Sequence, residues 1–244
     1  MDSISDTSSK YPVMMPTASH FFNCMKDLGI GLEDIIVVYD TYEIGLYSSP
    51  RVAWTFLNFG FKNVHVLNNF PQYVQQGFPT SSGQLRGLSS TLSPDLMTAF
   101  VGESLCPGEI ISFKELRDDI VAQSNERPYQ ILDARPFNQF SGLDKAAYAS
   151  LRPGHMPDAV SIPLSSFLTD NKCLRQVDEL RDLFAKAGVD ENMSAVLTCN
   201  SGVTASALGL ALRVCGYKMK MKLYDGSWME WADKVNEDGL IVTN

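Results

Sequence analysis

Short apolar segments alternate with longer amphipathic segments along most of this sequence, and this alternation restricts the possible folds more than any other feature. The short segments have the length and the Val, Ile and Leu content of buried strands; they are 35–39, 64–67, 129–133, 159–163, 195–198 and 221–224. Apolar residues recur at helical spacing in the longer segments 18–28, 51–59, 71–76, 112–124, 174–186, 204–217 and 229–235. Strands that alternate with helices predict an α/β fold, in which helices flank a parallel sheet.

The two halves of the chain repeat this order. Gly60-Phe61-Lys62 and Gly216-Tyr217-Lys218 each separate a predicted helix from a predicted strand, and Asp40 occupies in the first half the position of Cys199 in the second. We therefore expect tandem domains. Their predicted bounds are an incomplete first domain over 1–77, a linker rich in Ser, Gly, Thr and Pro over 78–109, and a second domain over 110–244.

The two copies differ in length before these equivalent positions. The first has 39 residues before Asp40, whereas the second has about 88 before Cys199. The difference corresponds to the first two strands of the second copy. We therefore expect the first domain to be truncated at its N-terminus, with Met1 as an internal methionine of a longer chain.

Cys199 lies between the predicted strand 195–198 and the helix that follows it. The helix dipole and the N–H groups of a first helical turn favour a thiolate at such a position. Gly202 allows the loop to curl so that successive N–H groups point inward. The same geometry suits a persulfide, in which a second sulfur atom is bound to the cysteine sulfur. The alternative is a buried structural cysteine, the usual role of cysteine in a core.

Four motifs resemble those of the rhodanese-like sulfurtransferases, and particularly their mercaptopyruvate branch. In chain order they are Asp133-Ala134-Arg135, Gly154-His155-Met156-Pro157, Cys199-Asn200-Ser201-Gly202-Val203-Thr204 and 223–231. The resemblance implies tandem rhodanese-like domains, of which the first normally lacks a catalytic cysteine. It also implies that Cys199 takes a sulfane sulfur from a small donor, mercaptopyruvate or thiosulfate, and passes it from a persulfide to a thiol, cyanide or a protein acceptor.

The resemblance also implies roles for the residues of the loop and its surroundings. The loop residues Asn200 to Thr204 stabilise the sulfur: Ser201 hydrogen-bonds it or relays a proton, while Gly202 and Thr204 shape the loop and cap the helix. The alternative for Ser201 is a hydroxyl that only closes the turn. Asp133 and Arg135 brace the site. His155 is expected to be structural rather than catalytic.

The sequence departs from this family at the residues that bind the substrate. The two arginines that bind the mercaptopyruvate carboxylate correspond here to Gln139 and Tyr148, and neither provides a cation. Arg135 and Arg152 are the nearby cations that could replace them. The loop also has Asn200-Ser201 where thiosulfate-preferring members carry Arg-Lys. We therefore expect an intact cysteine site with weakened binding of anionic donors.

Composition limits the other functions. A net charge of −8 does not favour direct binding to nucleic acid, and no apolar run is long enough to span a membrane. The scattered histidines and cysteines predict no metal site and no cofactor. A Cys-x5-Arg phosphatase loop needs an arginine near residue 205, where this chain has alanine.

The odd number of cysteines predicts a reducing compartment, so the expected location is the cytoplasm, with mitochondria as a second compartment. Similar fungal proteins pass sulfur toward thiolation of the tRNA wobble uridine. This likeness implies an E1-like activator of a sulfur carrier as the protein acceptor. A non-catalytic rhodanese-like scaffold is the alternative function.

Overall fold

The computed structural model describes residues 3–83, 109–122, 127–144 and 151–243. The chain divides into two compact units, Met1–Pro107 and Gly108–Asn244. Most of the predicted linker 78–109 lies outside the described residues, as does the end of the helix predicted over 112–124. The three domain bounds given above therefore remain predictions.

The first unit contains a pair of parallel strands covered on one side by helices. Its described elements are α1 (Ala18–Leu28), β1 (Ile36–Val38), α2 (Ser49–Asn58), β2 (Val64–Val66) and α3 (Phe70–Gln75). Five buried side chains form its core: Phe21, Met25, Phe56, Phe59 and Phe61. Ile36 and Val64 pack against this core from the two strands.

The opposite face of this two-stranded sheet is exposed. Val37, between the inward-facing residues of β1, is 55% exposed, and Ile35 and Tyr39 beside the strand are also exposed. Side chains that are adjacent in a strand point to opposite faces. Described residues of this unit therefore cover only one face of β1.

The second unit contains a five-stranded parallel sheet with helices on both faces. Its described elements are β3 (Ile110–Ile111), α4 (Phe113–Val121), β4 (Tyr129–Asp133), α5 (Phe137–Ser141), β5 (Ala159–Ser161), α6 (Leu164–Phe167), α7 (Val177–Lys186), β6 (Ser194–Thr198), α8 (Val203–Val214), β7 (Met221–Tyr224) and α9 (Ser227–Lys234). The strand order is β3-β7-β6-β4-β5. The predicted parallel α/β fold is confirmed. The helix predicted over 174–186 begins later, because Leu174 instead forms an antiparallel bridge with Leu168.

The centre of this sheet positions Cys199. Strand β6 pairs with β4 on one side and β7 on the other, and Asp133 of β4 lies opposite Thr198. Cys199 therefore follows a central strand at the carboxyl edge of the sheet, where ligands of parallel α/β proteins collect. Helix α8 packs closely on β6: a Cβ added at Gly209 would lie 2.8 Å from Leu197 Cδ1. The strand and the helix on either side of Cys199 are thus both held by the core.

Among the described residues, no helix combines the length and the apolar character that crossing a membrane requires.

Candidate active site

The loop after β6 places Cys199 next to the N-terminus of a buried helix. Gly202 is the N-cap of α8 and has a φ of 76°, in the left-handed region that glycine adopts without strain. This backbone conformation is compatible with the predicted curl of the loop at this residue. The predicted capping role of Thr204 is wrong, because its hydroxyl instead donates to the Ala134 carbonyl at 3.5 Å and connects α8 to the end of β4.

Several N–H groups in this loop have no acceptor. Within the described part of the chain, the N–H groups of Asn200, Ser201, Val203, Thr204 and Ala205 donate to no protein atom. Unpaired N–H groups at a helix N-terminus bind anions, and the dipole of α8 adds partial positive charge there. Cys199 is buried, with 2% of its surface exposed. The loop can therefore stabilise a negatively charged sulfur away from water.

Ser227, at the start of α9, holds the same loop in place. Its buried hydroxyl oxygen accepts from the N–H groups of Cys199 and Gly202, at 3.2 and 3.0 Å, and its O–H donates to the Tyr224 carbonyl at 2.8 Å. Two N–H groups of α9 then donate to the loop, Trp228 to the Cys199 carbonyl and Met229 to the Asn200 carbonyl. The N–H groups of Cys199 and Gly202 thus anchor the loop to Ser227, although the sequence predicted that the N–H groups of this loop point toward the sulfur.

Sequence reasoning did not identify Ser227 as part of the site. The available signal was its position in the motif 223–231, directly after Asp225-Gly226, where a serine can start a helix. Its φ of 50° places the backbone in the left-handed region, which non-glycine residues seldom adopt. The hydroxyl bonds to the Cys199 loop compensate for this strain.

Asp133 and Arg135 form a buried ion pair beneath the site. Arg135 Nη2 lies 2.6 Å from Asp133 Oδ2 and 2.9 Å from the Gly154 carbonyl, and its guanidinium stacks over Trp228 at 4.2 Å. Both side chains are only 1% exposed. The pair thus connects the end of β4 to the turn before His155 and to α9. This geometry favours the predicted bracing role and leaves the guanidinium no access to a substrate carboxylate.

Arg152 is engaged at the other end of α9. Its Nε and Nη2 donate to the Ala232 carbonyl at 3.1 and 3.0 Å, and Nη2 also donates to the Val235 carbonyl. A cation at a helix C-terminus stabilises the unpaired carbonyl groups there. Neither cation expected to replace the substrate-binding arginines is therefore placed to do so.

Gln139 contacts the cysteine loop directly. The Asn200 side chain donates from Nδ2 to Gln139 Oε1 at 3.0 Å and so joins the loop to α5. Tyr148, the other predicted substrate-binding position, lies outside the described residues. The structure thus places Gln139 in contact with Asn200, the residue that directly follows Cys199.

His155 packs within the fold. Its ring stacks on Phe140 with centroids 3.9 Å apart, its Nδ1 lies 2.9 Å from the Phe140 carbonyl, and its backbone pairs with Val242. These contacts support the predicted structural role. No group of three or more His, Cys, Asp and Glu side chains in the described ranges is arranged to hold a metal ion.

The first unit shows what the equivalent loop does without a cysteine. Asp40 follows β1, and its carboxylate accepts from the N–H groups of Tyr47, Ser48 and Ser49 at 2.8–2.9 Å, just before and at the start of α2. Ser49 Oγ donates to the same carboxylate at 2.6 Å. A fixed anion therefore accepts the N–H groups at the helix start of this loop, whereas the Cys199 loop keeps the N–H groups of Asn200, Ser201, Val203 and Thr204 available.

A parallel α/β sheet with a cysteine loop of this kind at its carboxyl edge defines a class of enzymes that use a thiolate at a helix N-terminus. Residues 116–234 match the rhodanese-like domain family. The chain is 34% identical to the 3-mercaptopyruvate sulfurtransferase of Mus musculus, in an alignment that covers 99% of this chain and 77% of the mouse protein. The chain thus belongs to the rhodanese-like family and is a sulfurtransferase. The alternative function considered from the sequence, a non-catalytic scaffold, is therefore set aside.

Two yeast proteins extend this comparison. The thiosulfate sulfurtransferase TUM1 of Saccharomyces cerevisiae is 31% identical, over 96% of this chain and 78% of that protein. The Tum1 crystal structure has a TM-score of 0.84 at 29% identity and covers 100% of this chain and 80% of that chain. The sulfur transferase subunit of yeast mitochondrial complex I has a TM-score of 0.83 at 32% identity, with coverages of 100% and 82%. The tandem architecture of the family therefore extends over the whole chain.

Proposed function

We propose that this protein moves a sulfane sulfur from a small donor, mercaptopyruvate or thiosulfate, through a persulfide on Cys199 to a thiol, cyanide or a protein acceptor. The main observation in support is that Cys199 lies beside loop N–H groups that have no acceptor among the described residues. The Cys199 thiolate attacks the outer sulfur of the donor. With thiosulfate the S–S bond breaks and sulfite leaves; with mercaptopyruvate the C–S bond breaks and pyruvate leaves after protonation.

The loop residues divide this work between them. The N–H groups of Asn200, Ser201, Val203 and Thr204 stabilise the outer, negatively charged sulfur of the persulfide. The Ser201 hydroxyl hydrogen-bonds the sulfur or relays the proton to the leaving group, and Gly202 provides the turn. Asp133 and Arg135 hold the end of β4 beneath the loop and do not touch the donor.

Intact mass spectrometry tests this function. Wild-type protein incubated with either donor should gain one sulfur atom, which cyanide then removes. Cys199→Ser should gain none. Cys215→Ser is the matched control and should load normally, because burial raises the pKa of the Cys215 thiol and keeps it protonated. Loading that survives in Cys199→Ser would contradict the proposal.

The proposed protein acceptor is an E1-like activator of a sulfur carrier in tRNA wobble-uridine thiolation, supported by the likeness to yeast TUM1. The complex I subunit of yeast mitochondria supports a mitochondrial location, and the reducing environment that free cysteines require fits both this location and the cytoplasm. Passage of labelled sulfur from loaded protein to a purified E1-like acceptor is the test. Retention of the label on Cys199 in the presence of that acceptor would contradict it.

We also propose that catalysis belongs to 110–244, that 1–77 is non-catalytic and that 78–109 links them. The supporting observation is that Asp40 follows β1 at the position equivalent to Cys199, and its carboxylate accepts the N–H groups at the start of α2. Replacement of the first-domain cysteine, Cys24→Ser, should therefore leave the rate of Cys199 loading unchanged.

A further inference from the structure

Gln139 and Asn200 form a pair of neutral amides beside the reactive cysteine. Asn200 directly follows Cys199, and its Nδ2 donates to Gln139 Oε1 at 3.0 Å. Both side chains are half-buried. The bond between the two amides uses neither Asn200 Oδ1, an acceptor, nor Gln139 Nε2, which carries two N–H donors, so both can serve a bound molecule.

The described residues around this amide pair supply no positive side chain. The segment α5 is Phe-Asn-Gln-Phe-Ser and the loop 199–204 is Cys-Asn-Ser-Gly-Val-Thr, so neither contains a positively charged side chain. Arg135 is held in its buried ion pair and Arg152 at the end of α9. The N–H groups without acceptors lie in the loop itself and serve the transferred sulfur. Among the described residues, a carboxylate on the donor would therefore lose water beside the amide pair without gaining a cation.

We propose that the Gln139–Asn200 pair selects a donor whose sulfur is carried by an uncharged group, of the alkyl persulfide class R–S–SH. This inference rests on the proposed sulfur transfer and adds a donor class to mercaptopyruvate and thiosulfate, the two anionic donors from which Cys199 should load more slowly. The Cys199 thiolate attacks the terminal sulfur, the S–S bond of the donor breaks, and R–S⁻ leaves while the proton stays on the transferred sulfur. The reaction is redox-neutral, and only sulfur atoms carry charge in it. The uncharged R group then lies against the amide pair.

Two donors that differ in one charged group, and otherwise only by a methyl group, test this selection. N-acetylcysteine persulfide carries a carboxylate, and its methyl ester does not, while the reacting sulfur is the same. The second-order rate of Cys199 loading, followed by rapid quenching and intact mass, should be higher for the ester in the wild type. Gln139→Arg should shift the acid-to-ester ratio by about tenfold or more toward the acid, because a charge-assisted contact is worth at least this factor.

Asn138→Arg is the matched control, since it adds the same charge to the same helix at an exposed position. It should leave the ratio within about twofold, as expected for a solvent-exposed charge. Gln139→Lys is a second variant in case Gln139→Arg does not fold. An acid loaded as fast as the ester in the wild type, an unchanged ratio in the folded Gln139 variants, or an equal shift in Asn138→Arg would each overturn the inference. If neither donor loads wild-type Cys199 above the Cys199→Ser background, the sulfur-transfer function itself fails as well.

Discussion

Replacement of Ser227 by alanine tests whether one hydroxyl holds the cysteine loop. The change removes the acceptor of the Cys199 and Gly202 N–H groups and the donor to the Tyr224 carbonyl. The two N–H groups belong to the buried residues Cys199 and Gly202. A buried polar group left without a partner costs about 1–3 kcal/mol. Because the loop can relax and admit water, we expect the free energy of unfolding of the second unit to fall by about 2–5 kcal/mol.

Two further variants separate the hydrogen bonds from other effects. Ser227→Gly removes the same hydroxyl but relieves a φ of 50°, so it should be about 1 kcal/mol less destabilising than Ser227→Ala. Ser206→Ala is the matched control: its hydroxyl donates to the Gly202 carbonyl, which also accepts the Ser206 N–H and therefore keeps a partner. This control should lose less than about 1 kcal/mol.

Urea unfolding followed by tryptophan fluorescence measures these changes. A Trp54→Phe background leaves only Trp228 and Trp231, both buried in the second unit, as reporters. The rate of persulfide loading on Cys199 should fall together with stability in Ser227→Ala and remain near that of the background in Ser206→Ala. A loss below about 0.5 kcal/mol, with unchanged loading, would refute the role assigned to this hydroxyl.

Two other predictions concern charged groups. Asp133→Asn leaves the Arg135 guanidinium buried without a counter-charge, so the free energy of unfolding in urea should fall by about 3–5 kcal/mol. The double variant Asp133→Asn/Arg135→Met should recover part of this loss. A single variant as stable as the wild type would contradict the pairing. Hydrogen bonds from the Ser112 hydroxyl and N–H lower the pKa of Glu115 below its unfolded value, so this stabilisation is present at neutral pH and is lost as the pH falls through the lowered pKa. The melting temperature should therefore fall less on acidification in Glu115→Gln than in the wild type. The corresponding difference in the free energy of unfolding is below about 1 kcal/mol, because the carboxylate is exposed. Equal falls in the two proteins would contradict the capping role.

Features that depend on neighbouring residues were predictable from the sequence. The alternation of apolar and amphipathic segments follows from burial on one or both sides, and it correctly indicated parallel strands and the helices between them. The position of Cys199 between a strand and a helix, and the need for Gly202 in the loop, are likewise properties of adjacent residues.

Hydrogen-bond partners distant in sequence were decided by the tertiary structure alone. Arg152 and Arg135 looked like free cations in the sequence, yet the fold commits one to the end of α9 and the other to Asp133 and the Gly154 carbonyl. Ser227 and Gln139 reach the Cys199 loop from segments 28 and 61 residues away along the chain. Periodicity records which side of a segment is buried, but the partner of a buried polar group is set by which segments the fold brings together. For this reason the sequence by itself determined the fold class and the position of the cysteine proposed to carry sulfur, whereas the tertiary structure decided how the loop is anchored and which groups remain available to a sulfur donor.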